Sequence, residues 1–247
     1  MREGDQVTVT GPLLRHLAAA LRLRVDEVVY LVDASERLEC RVTVVSKSEL
    51  VAKIQNITPL VEPPYRITLA IGTPKGKKLE EVVKRAVELG VHRIRPVVTE
   101  RSVARAKEGR NRGERLSAIA LEAAQQSGRA SVPQVDEPVT FDRFAAEAPE
   151  GLGVVLWELE SDNALLPLLQ NRHTNCSNGS EHLTLLVGPE GGLALEEVAR
   201  LTDIGYLRAG LGPTILRTET ACVAALAVAA AALSGGAPVL TPQGQGL

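Results

Sequence analysis

The 247-residue chain is 45% hydrophobic and 23% charged, the mix of a globular protein, which excludes a disordered or fibrous class. Aromatics make up only 2%, which argues against a nucleic-acid surface built on stacked rings and leaves the core to Leu, Val, Ile and Ala. The net charge of −2 hides a segregation: residues 1–65 carry 8 basic and 9 acidic side chains, residues 66–129 carry 15 and 7, and residues 130–247 carry 5 and 14, so the middle third suits a local anionic partner.

Along the chain, residues 1–60 read as short strands. Val28–Val32 ends at the turn Asp33–Glu36. Leu38–Val45 alternates apolar and polar side chains, as a half-buried strand does, and Leu50–Ile57 follows a turn at Ser46–Glu49. One short helix, Pro12–Leu21, precedes them. Turns at roughly 8–12-residue intervals predict a small barrel. Pro59, Pro63 and Pro64 mark a linker, which sets the expected domains at 1–64 and 65–247.

From Arg66 strands and helices alternate. Ile67–Ile71 is a strand and Gly72–Lys78 a glycine- and lysine-rich loop. Leu79–Leu89 is a helix with Leu79, Val82, Val83, Ala86 and Val87 on one face, and Gly90 suits the left-handed position after it. Ile94–Val98 is the next strand, Arg101–Gly113 a basic loop, and Glu114–Ser127 a helix. Strands at Gly153–Trp157, Leu183–Val187 and Tyr206–Leu211 alternate with helices at Leu165–Gln170 and Leu195–Leu201, and Asn171–Ser180 reads as a polar surface loop. The last helix, Thr218–Leu233, is apolar nearly all round, which predicts burial on most sides and suits a subunit interface. Gly235–Leu247 reads as a frayed tail. The alternation implies a parallel α/β sheet, with ligands beyond the carboxyl ends of its strands.

Three loops leave strands at that end: Trp157–Glu160, Gly188–Gly192 and Leu211–Thr220. None carries a Walker-type lysine or a G-x-G-x-x-G pattern, and Pro189 lacks a backbone N–H, so a phosphate cradle is not the natural use. Glycines instead let backbone approach a flat ligand such as an adenine. Arg217 and Glu219 stand beside that backbone. Cys40, Cys176 and Cys222, and the histidines at 16, 92, 173 and 182, lack disulfide or ligand spacing, so no metal is expected. Met1–Asp5 has no apolar h-region and Ala221–Leu233 is too short to span a bilayer; a cytoplasmic protein with no membrane partner is expected.

Gly188-Pro-Glu-Gly-Gly192 followed by Leu211-Gly-Pro-Thr-Ile-Leu-Arg-Thr-Glu-Thr-Ala221 resembles the paired C-terminal motifs of the SPOUT methyltransferases. More narrowly, it resembles the RsmE family, which methylates uridine N3 in 16S ribosomal RNA. Further matches lie at Glu88–Val91, Glu100–Ser102, Glu122–Arg129 with Pro133, and His16 with Leu21-Arg22, so the resemblance spans roughly residues 10–235. It implies a PUA-like RNA-binding β-barrel over 1–64 and an α/β domain over 65–247 whose C-terminal part threads a deep trefoil knot. It also implies a homodimer, and S-adenosyl-L-methionine as the donor bound in the knot. The resemblance assigns Gly188, Pro189, Glu190, Gly191, Gly192, Leu211, Gly212, Ile215, Leu216 and Thr218 to the donor. Arg22, Lys75, Lys77, Lys78, Arg101 and Arg129 would face 16S rRNA in the small ribosomal subunit or its assembly intermediate. The chain departs from the family in three places: it lacks an Arg-plus-aromatic opening, Arg85 replaces a usual lysine, and Thr214 replaces a common arginine.

Uridine N3 carries a proton and is a poor nucleophile until that proton leaves. A base, or a cation facing the developing negative oxygens, is therefore needed. Arg217 and Glu219 are the expected catalytic residues. Arg217 suits the cationic role; Glu219 has two roles open, accepting a proton or holding Arg217. A purely structural alternative is an ion pair between them at the helix start. Two other functions fit the same motifs: methylation of a different RNA atom, and a non-catalytic rRNA-binding assembly factor.

Overall fold

The computed structural model describes residues 2–11, 14, 23–33, 36–60, 63, 65–102, 112–173 and 181–234. The expected helix Pro12–Leu21 (save Leu14), Arg22, most of the basic loop 101–113, residues 174–180 and the tail from 235 lie outside them. The chain divides into two compact units, Met1–Glu62 with Gly128–Ser131, and Pro63–Ser127 with Val132–Leu247.

The first unit is an antiparallel sheet of β1 (Arg2–Glu3), β2 (Gln6–Thr10), β3 (Val28–Asp33), β4 (Glu36–Val45) and β5 (Glu49–Pro59), in the order β1-β2-β5-β4-β3. The first two strands were not anticipated. Arg2–Glu3 is too short for any periodicity to register, and Gln6–Thr10 shows its alternation over only five residues. Val7 and Val9 nevertheless turn inward onto Val29, Leu38, Cys40, Val42, Leu50 and Ala52. The β4–β5 register shifts twice, between Glu39 and Cys40 and between Val42 and Val44; such bulges bend and twist a strand pair. Arg2, on the first strand in the order, lies 2.6 Å from Glu36 and 3.6 Å from Asp33 at the β3–β4 turn. One guanidinium thus ties the two ends of the sheet order together.

The second unit is a seven-stranded parallel sheet: β6 (Tyr65–Gly72), β7 (Arg93–Val98), β8 (Gln134–Val135), β9 (Val139–Thr140), β10 (Leu152–Leu156), β11 (Glu181–Val187) and β12 (Tyr206–Ala209). The order is β12-β10-β11-β6-β7-β8, with β9 also pairing β7. Its helices are α1 (Lys78–Glu88), α2 (Arg112–Gln126), α3 (Phe141–Phe144), α4 (Leu165–His173), α5 (Leu195–Asp203) and α6 (Thr218–Leu233). Strand alternation sends Ile67, Leu69 and Ile71 to the face covered by α1, α2, α4 and α6, and Ala70 to the face covered by α3 and α5. β6, a central strand, is buried on both faces from Ile67 to Gly72, and all of these residues but Thr68 and Gly72 are aliphatic.

The short elements β8, β9 and α3 escaped sequence reading because two to four residues contain no full period. Helix α4 continues to His173, three residues beyond the expected Gln170 and into the stretch expected as loop. β12 stops at Ala209, not Leu211, because Gly210 leaves the sheet to bridge Ala164. Helix α6 has the expected bounds and buries Cys222, Ala225, Leu226, Ala229 and Leu233, but Ala227 and Ala231 remain exposed.

At the opposite end of the sheet, His182 Nε2 lies 3.0 Å from Thr68 Oγ1 and Nδ1 lies 3.3 Å from the Glu150 carboxylate. Burial pushes the imidazole pKa down, outweighing the raising effect of Glu150. A folded pKa below the unfolded value, about 6.5, means the fold prefers neutral His182. That stabilisation is present above the unfolded pKa and is lost as pH falls. We expect the thermal midpoint to drop between pH 7.5 and pH 5, and to drop less in His182→Gln. Equal drops in the two proteins would remove His182 as a cause.

Candidate active site

Because every strand of the second sheet points the same way, the loops after β6, β10, β11 and β12 emerge on one edge. The last three enclose a cavity of about 290 Å³. Its walls are Leu156–Glu158 with Glu160, Val187–Glu190 with Gly192, and Ala209–Thr218 with Ala221. Much of this wall is backbone, and two close approaches require it to be. A Cβ on Gly72 would lie 2.6 Å from the Pro189 nitrogen, and one on Gly210 would lie 2.7 Å from the Glu160 carbonyl oxygen. Glycine at these positions lets neighbouring loops touch main chain to main chain.

Charged side chains fix each loop. Glu160 turns back into its own loop: Oε1 accepts from the Asp162 and Asn163 N–H groups at 3.0 and 3.2 Å, and Oε2 lies 3.3 Å from Arg208 Nε. The Arg208 guanidinium sits over the Trp157 ring, 5.8 Å from its centre. Glu197, buried on α5, accepts from Ala194 N–H at 3.0 Å and from Glu100 N–H at 2.9 Å. That holds Thr99–Ser102 beside the glycine loop, where Arg101 donates to the Gly191 carbonyl at 3.2 Å.

Lys78, the first residue of α1, lies 3.1 Å from Glu190 and 3.5 Å from Glu219. The hydrogen bond to Glu190, with the charges of both carboxylates, raises the Lys78 pKa against its own desolvation. Glu190 Oε1 also accepts from Lys75 N–H at 3.2 Å. Burial works to raise the Glu190 pKa, but these hydrogen bonds and its own backbone N–H outweigh it, and the net direction is down.

The structure brings most of the expected donor residues to one cavity: Gly188, Pro189, Glu190, Gly192, Leu211, Gly212, Ile215, Leu216 and Thr218 all line it, and so does Arg217. Gly191 is not part of the lining and lies under Arg101. Glu219 is not part of the lining either; it faces Lys78, and its Oε2 is buried with no hydrogen-bond partner among the described residues. Arg217 and Glu219 are not paired. Arg217 occupies the N-cap of α6 and Glu219 its second residue, so their side chains diverge, and Arg217 is exposed with no partner among the described residues.

Of the residues expected to face RNA, Lys75, Lys77 and Arg101 are exposed. Lys78 is engaged by two carboxylates, Arg129 groups with the first unit, and Arg22 lies outside the described residues. Sequence reasoning assigned no donor role to Trp157, Glu158, Glu160 or Ala221, which also line the cavity. The signal for the first three was present, since their loop leaves a strand at the same edge as the two glycine loops.

Residues 61–230 match the model of the RNA methyltransferase domain family. The chain is 32% identical over 231 residues to the Ribosomal RNA small subunit methyltransferase E of Bacillus subtilis, spanning 92% of this chain and 90% of that protein. The chain belongs to the ribosomal RNA small subunit methyltransferase E family. It is 33% identical over 232 residues to the methyltransferase E of Mycobacterium bovis, spanning 90% of this chain and 85% of the relative. A crystal structure of the Neisseria gonorrhoeae methyltransferase E bound to S-adenosyl methionine is 30% identical, with a TM-score of 0.76 over 92% of each chain. As a methyltransferase E family member the chain is an rRNA methyltransferase, and its antiparallel sheet and parallel α/β sheet match the architecture of that solved relative.

Proposed function

We propose that this protein transfers the methyl group of S-adenosylmethionine to N3 of a uridine in 16S rRNA of the small ribosomal subunit, acting in the cytoplasm during ribosome assembly. The observation that carries this reading is the cavity formed by three loops, with Arg217 exposed at its edge. Its volume, about 290 Å³, is near the roughly 300 Å³ lower range of small-molecule pockets. Gly188, Gly192 and Gly212 offer main chain for a flat adenine, and the carboxylate of Glu158 suits a cationic ligand. These features fit the donor. When bound, S-adenosylmethionine supplies a methyl group activated by its sulfonium.

The chain's own residues then have distinct tasks. The glycine loops exclude water from the cavity. Arg217 faces the uracil oxygens and stabilises the negative charge of the uridinate formed when the N3 proton passes to solvent water at the open edge of the cavity. Lys75, Lys77 and Arg101 meet phosphates, which position the strand without selecting the base.

The two-domain reading, with an RNA-binding PUA-like barrel over 1–64 and the methyltransferase domain over 65–247, is supported by the division into two units near residue 62. The Arg2 tie between the ends of the first sheet and the bulges in β4–β5 favour a closed barrel. A trefoil knot is rare on general topological grounds. It is favoured here by the path after β12: Gly210 accepts from Leu165 N–H at 3.0 Å and donates to the Asn163 carbonyl at 2.8 Å, and the chain then re-enters as α6 against β6 and β11. The exposed Ala227 and Ala231, on a helix whose single charged residue is Glu219, suit close packing against a second copy of the chain.

The test is methylation in vitro. Purified protein, the donor and small subunits from cells lacking this gene should yield N3-methyluridine in digested rRNA, read by mass spectrometry. Donor-binding, folded protein that leaves the rRNA unmodified would overturn the reading.

A further inference from the structure

Lys78, Glu190 and Glu219 come from three different segments: the start of α1, the loop after β11 and the first turn of α6. Both carboxylates lie within 3.5 Å of one ammonium. Glu190 and Thr218, the neighbour of Glu219, line the cavity on different loops; Lys78 and Glu219 do not line it. The ammonium is thus placed behind the cavity, at the point where its two glycine-rich walls converge on α1.

We propose that Lys78 and Glu219 are positioning residues that set the separation of the cavity walls, and that Glu219 does not accept the N3 proton. This rests on the donor reading above. Two observations support it. The Glu219 Oε1 atom is directed at Lys78, and Oε2 is buried instead of opening onto the cavity. Removing the ammonium would also leave two like charges facing each other across the loop junction, and their repulsion would spread the walls. Buried acceptors without partners are rare enough to call for an account; here the clamp holds the carboxylate where one oxygen is satisfied and the other is not.

A positioning role and a proton-accepting role diverge in a double-mutant cycle. Donor affinity by calorimetry, and the methyl-transfer rate as a function of pH, are measured for wild type, Lys78→Met, Lys78→Arg, Glu219→Gln and Lys78→Met/Glu219→Gln, with thermal unfolding confirming each fold. Lys78→Met should weaken donor binding about tenfold, Lys78→Arg should restore most of that loss, and Glu219→Gln should lower the rate only about threefold. The double variant should bind the donor more tightly than Lys78→Met, because one of the two facing charges is gone. The pH–rate profile of Glu219→Gln should keep the wild-type shape. A fall of about a hundredfold in the Glu219→Gln rate at unchanged donor affinity, or a lost limb of its pH profile, would make Glu219 the proton acceptor and overturn the proposal. Unchanged donor affinity in Lys78→Met would overturn it as well. Failure of wild type to bind S-adenosylmethionine would instead defeat the donor reading on which it rests.

Discussion

Arg217→Ala should slow methyl transfer by about 100- to 1000-fold while changing donor affinity by no more than about threefold. The size follows from the proposed role: a preorganised cation acts where charge develops, and its removal is felt in the transition state far more than in the ground state. The structure makes the experiment clean. The Arg217 side chain has no partner among the described residues, so its removal strands no carboxylate. As the N-cap of α6 it makes no side-chain capping hydrogen bond, so alanine removes no cap. Single-turnover rates with calorimetry and thermal unfolding separate these effects. An unchanged rate would remove Arg217 from the chemistry, and a matching loss of donor affinity would recast it as a binding residue. Arg217→Lys should recover only part of the rate, since a lysine supplies charge without the paired donors of a guanidinium.

Gly72→Ala should weaken donor binding more than tenfold and destabilise the fold by about 1–3 kcal/mol, the usual range for overpacking. The added Cβ would lie 2.6 Å from the Pro189 nitrogen and 3.1 Å from the Gly188 carbonyl carbon. These are backbone atoms that cannot swing aside as a long side chain does. Relief must come from displacing the loop after β11, which is one wall of the cavity. Urea denaturation and calorimetry measure the two effects. Unchanged donor affinity would mean that the glycine loop yields without disturbing the cavity, or that the donor does not use it.

Much of the parallel unit was legible because its segments are long and one-sided in character. The run Leu183–Val187 and the stripe Leu79, Val82, Val83, Ala86, Val87 each carry enough residues for period and burial to agree. Arg2–Glu3, Gln134–Val135 and Val139–Thr140 are strands only because neighbours supply their hydrogen bonds, which no local pattern encodes. The site was legible in part for the same reason. Strand ends located the three loops, and the motif resemblance named half of the cavity lining, all of it on the last two loops and the start of α6. The partner of Glu219 was not legible. Lys78 is 141 positions away, and its sequence context, Lys75-Gly-Lys-Lys78, reads as solvated positive charge. Only the packing of α1 beside α6 places that ammonium between two carboxylates.

The order in which the cavity walls occur in the chain has a consequence for biosynthesis. The loops at 157–160 and 188–192 are made first, but the third wall, Ala209–Thr218, and the helix that seats it come late in the described chain. A nascent polypeptide emerging N-terminus first can complete its amino-terminal module and six of its seven parallel strands before this cavity exists. If the cavity holds the donor as proposed, ribosome-bound or prematurely terminated fragments lacking α6 would neither sequester the cofactor nor carry out modification. On the proposed reading, catalytic competence is acquired only when synthesis has passed α6.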